Sequence, residues 1–139
     1  MKPPASDVRD LLRLAKGARQ NAHTPFSGFK VGAALRAKDG QIVTGCNLEN
    51  ASYGLTLCAE RVAVFKAVSE GIRSFDAIAI VAEAKQLTPP CGACRQILWE
   101  FCGDIPVHIG DLKGRVFTSR MSELLPRPFD AKSLRRGAR

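Results

Sequence analysis

A chain of 139 residues with 45% hydrophobic composition can bury a core in one domain, spanning 1–139, which excludes a disordered polymer. No apolar run approaches the roughly 18 residues of a membrane span, so no membrane partner is expected. Half of the net charge of +8 falls in the last 13 residues, RPFDAKSLRRGAR, which predicts a basic C-terminal tail from about 131 rather than a nucleic-acid groove.

The polar start, MKPPASDVRD, is unlike a signal peptide and predicts a cytoplasmic protein. Val8, Leu11, Leu12, Ala15, Ala18 and Ala22 recur at helical spacing, which predicts a helix over 6–22 with Ser6 as its N-cap. FKVGAALRA and QIVTGCNL read as strands of a hairpin joined by KDG. A helix opens at Cys58 and stops at Gly71. The apolar run DAIAIVA predicts a central strand covered on both faces. A proline-marked second helix follows in QLTPPCGACRQILWEFCG, with Cys94, Ile97, Leu98 and Phe101 along one stripe. IPVHI and RVFTS are short strands around the turn GDLKG, and MSELLP supplies one or two helical turns. Strands interleaved with helices predict a three-layer α/β/α sandwich around one mixed five-stranded sheet.

Both helices that follow a strand begin with cysteine, Cys58 on one and Cys91 with Cys94 on the other. Helix amino termini favour thiolate over thiol. Two such ends brought together would aim three sulfurs at one point, the donor set of a zinc site with an open fourth position. Glu60, two residues past a ligand, lies where a carboxylate could contact a water in that position and move its proton. Three thiolates on one Zn²⁺ leave a formal charge of −1; Arg61 and Arg95, beside the ligands in sequence, are candidates to offset it. CAE at 58–60 with PCGAC at 90–94 is the pattern of zinc deaminases, in which the glutamate is not a ligand.

FSGFKVGAAL, GCNLENASYG, LCAERVAVFKAVSEG, PPCGACRQIL and ELLPRPF closely resemble the small homotetrameric cytidine deaminases, in the family's order. The resemblance implies hydrolytic deamination of cytidine and deoxycytidine to uridine and deoxyuridine, releasing ammonia in pyrimidine salvage. It implies one Zn²⁺ per subunit on Cys58, Cys91 and Cys94, Glu60 as the proton shuttle and Arg61 as the arginine that tempers the thiolate charge. It implies Asn47 and Glu49 on the ribose hydroxyls, Phe29 lining the nucleoside pocket, and the backbone of Ala59 and Pro90 facing the base. Phe129 corresponds to a ring that a neighbouring subunit stacks on the pyrimidine, and Tyr53 to a subunit-contact residue that completes the site. Asn and Glu two apart on a strand would share one face. Relatives commonly carry Tyr where this chain has Phe26 and Ser where it has Pro90.

Other readings stay open at this point. The cysteines and Glu60 could be core packing with a favourable helix-dipole charge. A closed structural zinc site would need Cys46 or Cys102 as a fourth ligand, although both read as packed or free thiols. His23 and His108 lack ligand spacing and read as structural. Another cytosine compound, such as an aminated antibiotic nucleoside or a nucleic-acid base, is a second possible substrate, and a non-catalytic zinc module is a third reading.

Overall fold

The computed structural model describes residues 4–135, with side chains from residue 7 onward. Five strands form one sheet in the order β2-β1-β3-β4-β5. β1 (Val31–Ala37) and β2 (Ile42–Cys46) pair antiparallel as the predicted hairpin, with Gly40 at a φ of +96° in the turn. β3 (Phe75–Ala82) runs antiparallel to β1 and parallel to β4 (Pro106–Gly110). β5 (Val116–Arg120) closes the far edge antiparallel to β4. The sheet is therefore mixed, and β3 occupies the centre that its unbroken apolar run predicted. Every residue of it except Asp76 is buried.

α1 (Pro4–Arg19) covers one face of the sheet, laying Leu11 and Ala15 on Ala34, Ala77, Ala79 and Val81. α2 (Ala59–Ser69) and α3 (Gly92–Cys102) cover the other. There Ala63, Val64 and Leu98 pack on Leu35, Ile78, Ile80, Val107 and Ile109. Strand alternation sorts these sets: Ile78 and Ile80 face α2 and α3, while Ala77, Ala79 and Val81 face α1. The expected three layers are present. A short α4 (Met121–Leu124) and a 3-10 turn at Ala131–Leu134 complete the described chain. That turn falls where the basic tail was expected, and Arg136 and Arg139 lie outside the described residues. No described helix is long and apolar enough to cross a membrane.

Two helices approach the sheet through glycines. A Cβ on Gly32 would meet the Ala15 carbonyl oxygen at 1.9 Å, so α1 rests directly on β1. A Cβ on Gly45 would meet the Ala59 oxygen and the Ala63 nitrogen at 2.6 Å each, so the first turn of α2 seats on β2. The second contact matters for function, because that turn begins at Cys58.

Three expectations need correction. The first helix already includes Pro4, so Ser6 belongs to its first turn and is not its N-cap; proline suits that turn, where its missing N–H costs nothing. It ends at Arg19, and the chain tightens through i,i+3 bonds as far as Ala22, which frees His23 to bridge Leu48. Asn47 and Glu49 lie beyond β2, where the chain has left the sheet and only Leu48 still bridges, to His23 and Leu57. Phe101 leaves the buried stripe of α3 and meets Phe65 of α2 edge-on at 6.3 Å.

Candidate metal and catalytic centre

Cys58 and Cys91 are the N-cap residues of α2 and α3, with extended backbones and no side-chain capping bond. Ser, Thr, Asp or Asn at such a position would turn its oxygen onto the helix N–H groups. Here the sulfurs turn instead toward each other, 3.9 Å apart. Cys94, one turn into α3 and fully buried, adds the third, and all three Sγ atoms lie within 4.8 Å of one another. Tetrahedral zinc–sulfur bonds of about 2.3 Å require sulfurs about 3.8 Å apart. The donor set and its spacing fit one zinc ion. Cys46 and Cys102 are free and belong to no such cluster among the described residues. Burial pushes the Cys102 thiol up to about 12, so it stays protonated.

Arg61 places positive charge beside the sulfur cluster. The Cys94 thiol hydrogen-bonds Cys58 and, with help from Arg61, draws the Cys58 thiol down to about 5. Cys94 is pushed the other way as the donor of that bond and by burial. Arg61 reaches Cys58 Sγ at 3.3 Å and the Thr56 carbonyl at 3.4 Å through one Nη, and its buried Nε has no partner. Arg95 does something else. Its Nε donates to the Pro90 carbonyl at 2.8 Å and its Nη to the Leu124 carbonyl at 2.9 Å. It therefore braces the loop before α3 against α4 and bonds no thiol.

Glu60 lies in the first turn of α2, 5% exposed. Burial, reinforced by the Cys58 charge, raises its carboxyl from 4.5 to about 7. A carboxyl poised there can both accept and donate a proton at neutral pH.

A cleft of about 190 Å³ opens above these groups, lined by Cys58, Cys91, Glu60, Ala59, Asn47 and Phe29. Its walls also include Val31, Leu57, Thr88 and Pro89, which the sequence reading missed; an apolar or hydroxyl side chain on a loop carries no signal of its own. Asn47 is buried and ties the cleft wall together, accepting from the Val31 N–H at 2.8 Å and donating to the Phe29 carbonyl at 2.7 Å. Thr56 borders both this cleft and an adjoining groove lined by Phe26, Ser27, Glu49 and Tyr53. Glu49 accepts from the backbone of Phe26 and Ser27, at 2.9 and 3.1 Å, and from the Ser27 hydroxyl. That hydroxyl leads the interactions holding its carboxyl below the usual range.

The remaining candidates stand further out. Pro90 is buried and outside the cleft lining, with its carbonyl engaged by Arg95. Tyr53 is 74% exposed and stacks edge-on with Phe26 at 5.7 Å. Phe129 is 59% exposed, and its carbonyl accepts from Gln96 at 2.6 Å. The histidines are away from the sulfurs: His23 bridges Leu48 through its backbone, and buried His108 hydrogen-bonds Thr118 at 2.8 Å.

The geometry has counterparts among known proteins. A family model described as the cytidine and deoxycytidylate deaminase zinc-binding region matches residues 5–108. The cytidine deaminase of Sporosarcina psychrophila is 50% identical over 129 residues, covering 92% of this chain and 95% of that protein. That of Halalkalibacterium halodurans is 52% identical over 129 residues, covering 92% and 98%. The crystal structure of cytidine deaminase from Burkholderia pseudomallei superposes with a TM-score of 0.84 at 46% identity, covering 87% of this chain and 98% of that one. The match extends through sequence and fold, and the matched region spans all three cysteines: the chain belongs to the cytidine and deoxycytidylate deaminase family of zinc-binding proteins.

Proposed function

We propose that this protein hydrolyses cytidine and deoxycytidine to uridine and deoxyuridine, releasing ammonia. One observation carries the reading: Glu60, a buried carboxyl raised to about 7, lines the same cleft as Cys58 and Cys91 of a zinc-spaced triangle of thiols. Bound to Cys58, Cys91 and Cys94, zinc supplies Lewis acidity, which makes water available as a nucleophile near neutral pH.

Glu60 does the proton work. It takes one proton from the attacking water and delivers it to N3 of the pyrimidine, then passes the proton of the new C4 hydroxyl to the departing amine. A C4–O bond forms, the C4–N bond breaks, and ammonia leaves with a carbonyl in its place. Arg61 tempers the negative charge of the sulfurs, supported by its 3.3 Å contact with Cys58. Phe29 and the backbone of Ala59 border the base. The Pro90 carbonyl, outside the cleft lining and held by Arg95, would have to exchange that bond to meet the base amine. Asn47 and Glu49 meet the ribose hydroxyls. Their present bonds hold the loops over 26–31, so the same two side chains shape the pocket and read the sugar.

Tyr53 and Phe129 serve a site shared between subunits of a homotetramer. Their exposure supports that role, since a ring that completes a neighbour's pocket must leave its own. We assign the activity to pyrimidine salvage in the cytoplasm, acting on the free nucleoside without nucleic acid or membrane.

The test follows loss of the amino-pyrimidine ultraviolet absorbance with cytidine, with and without a zinc chelator. Turnover abolished by the chelator and restored by zinc is the expected outcome. A zinc-loaded protein that leaves cytidine unchanged refutes the reading.

A further inference from the structure

The face of the sheet turned away from the cysteines carries a second groove, of about 370 Å³, a size that suits small organic ligands. α1 forms one wall and the loop joining β4 to β5 the other. Leu12, Val81, Leu112 and Val116 give it apolar lining, and Arg9, Lys16, Lys113 and Arg115 ring it with positive charge. It is distinct from the catalytic cleft. Ile80 lines that cleft and Val81 lines this groove, and successive residues of β3 point to opposite faces.

The charge is arranged rather than scattered. At about 100° per residue, Arg9, Arg13 and Lys16 fall within an arc of about 60° on α1, while Asp10 lies about 60° and Asp7 about 120° beyond its Arg13 edge. Arg115 is already engaged, with Asp111 and with the carbonyls of Ala84 and Lys85 at 3.2 and 3.0 Å. Asp111 also accepts from the backbone N–H groups of Lys113 and Arg115, both at 2.9 Å. These bonds fix the loop, and the exposed Lys113 stands on a rigid support. Arg9, Lys16 and Lys113 form no ion pair among the described residues, and all are exposed.

Three cations unpaired among the described residues, around an apolar lining, call for a ligand with two parts: several negative charges and a compact apolar or flat body. A nucleotide has both. A nucleic-acid strand suits the groove less well, because no aromatic side chain lines it for stacking and Glu83, paired with Arg19 at 3.4 Å, interrupts the positive surface beside it. We propose that this groove binds a nucleotide, with its phosphates on Arg9, Lys16 and Lys113 and its base over Leu12, Val81 and Val116.

Calorimetric titration of the zinc-loaded protein with ATP tests this, with saturating uridine present to occupy the catalytic cleft. The expected result is one ATP per chain, undisturbed by uridine, and binding at least about tenfold weaker for tripolyphosphate, which has the charge without the body. Lys16→Glu and Lys113→Glu should each weaken ATP about tenfold, as loss of a charge-assisted contact does. Cytidine turnover without ATP should not change in either variant, because neither residue touches the catalytic cleft. No ATP binding, or displacement of ATP by uridine, overturns the proposal. So does tripolyphosphate binding as tightly as ATP, which would reduce the groove to a charge patch. A short single-stranded oligonucleotide that binds more tightly than ATP would overturn it in favour of a nucleic-acid surface.

Discussion

Replacing Gly45 with alanine probes how the cleft is positioned, because Gly45 lies against the first turn of α2. The added Cβ would stand 2.6 Å from the Ala59 carbonyl oxygen and 2.6 Å from the Ala63 nitrogen. Both are backbone atoms of one helix, so neither can rotate aside. Restoring an ordinary contact of 3.4 Å moves the start of α2 by about 0.8 Å away from β2. That turn carries Cys58 and Glu60, while Cys91 and Cys94 ride on α3 and stay behind. Overpacking of this kind costs about 1–3 kcal/mol. For a chain of this length that lowers Tm by about 4 °C per kcal/mol. With Glu60 as the proposed proton carrier, the displacement would also separate it from the reacting atoms, and about 1 Å of misplacement can cost about 10²-fold in rate. The assay pairs thermal unfolding with cytidine turnover, at fixed protein and zinc concentrations because zinc binding itself raises Tm. Gly17→Ala is the matched control. Its Cβ meets nothing within 4 Å on α1, and it should stabilise by about 0.5–1 kcal/mol. A Gly45→Ala protein with unaltered Tm and turnover would refute the idea that close seating of α2 on β2 positions the cleft.

Further outcomes follow from the same geometry. Glu60→Gln should retain zinc, measured by metal analysis, and lose turnover by about 10²–10⁴-fold, the usual contribution of general acid–base catalysis. Full activity with zinc in place would remove Glu60 from the chemistry. Phe129→Ala should raise KM for cytidine about tenfold without altering zinc content, if its ring serves a neighbour's pocket. An unchanged KM argues against the shared site. Asp104 accepts the Ser122 N–H at 2.8 Å, the leading cause that holds its carboxyl below the ordinary 3.8, with Arg120 assisting. A depressed folded value gives stability that is present above pH 3.8 and lost as pH falls through the lower folded value. Asp104→Asn should therefore unfold earlier than the parent at neutral pH, with the gap closing in acid; a gap independent of pH would assign the effect to packing.

Much of the cleft was legible because its signals are local. An almost unbroken apolar run marked β3, the KDG turn marked the hairpin, and a cysteine stood at the start of each of two helices. Such features depend on a few neighbours along the chain. The CAE and PCGAC motifs then told which chemistry those helix starts could share.

What the chain alone decided, then, was the inventory: five strands, the helices between them, three sulfur donors, one carboxyl and one nearby arginine. Tertiary structure decided what each group faces. Arg95 reads in sequence like a second counter-charge, yet the carbonyls of Pro90 and Leu124 lie closer to its reach and claim it. Asn47 and Glu49 read as strand residues, yet the chain leaves the sheet after Cys46 and their side chains hold the 26–31 segment. The sulfurs of Cys58 and Cys91 meet across 33 residues only because helices on the same face of the sheet start beside each other. Contacts of that kind depend on where distant segments pack, and a hydrogen bond goes to whichever partner the folded chain brings within about 3 Å.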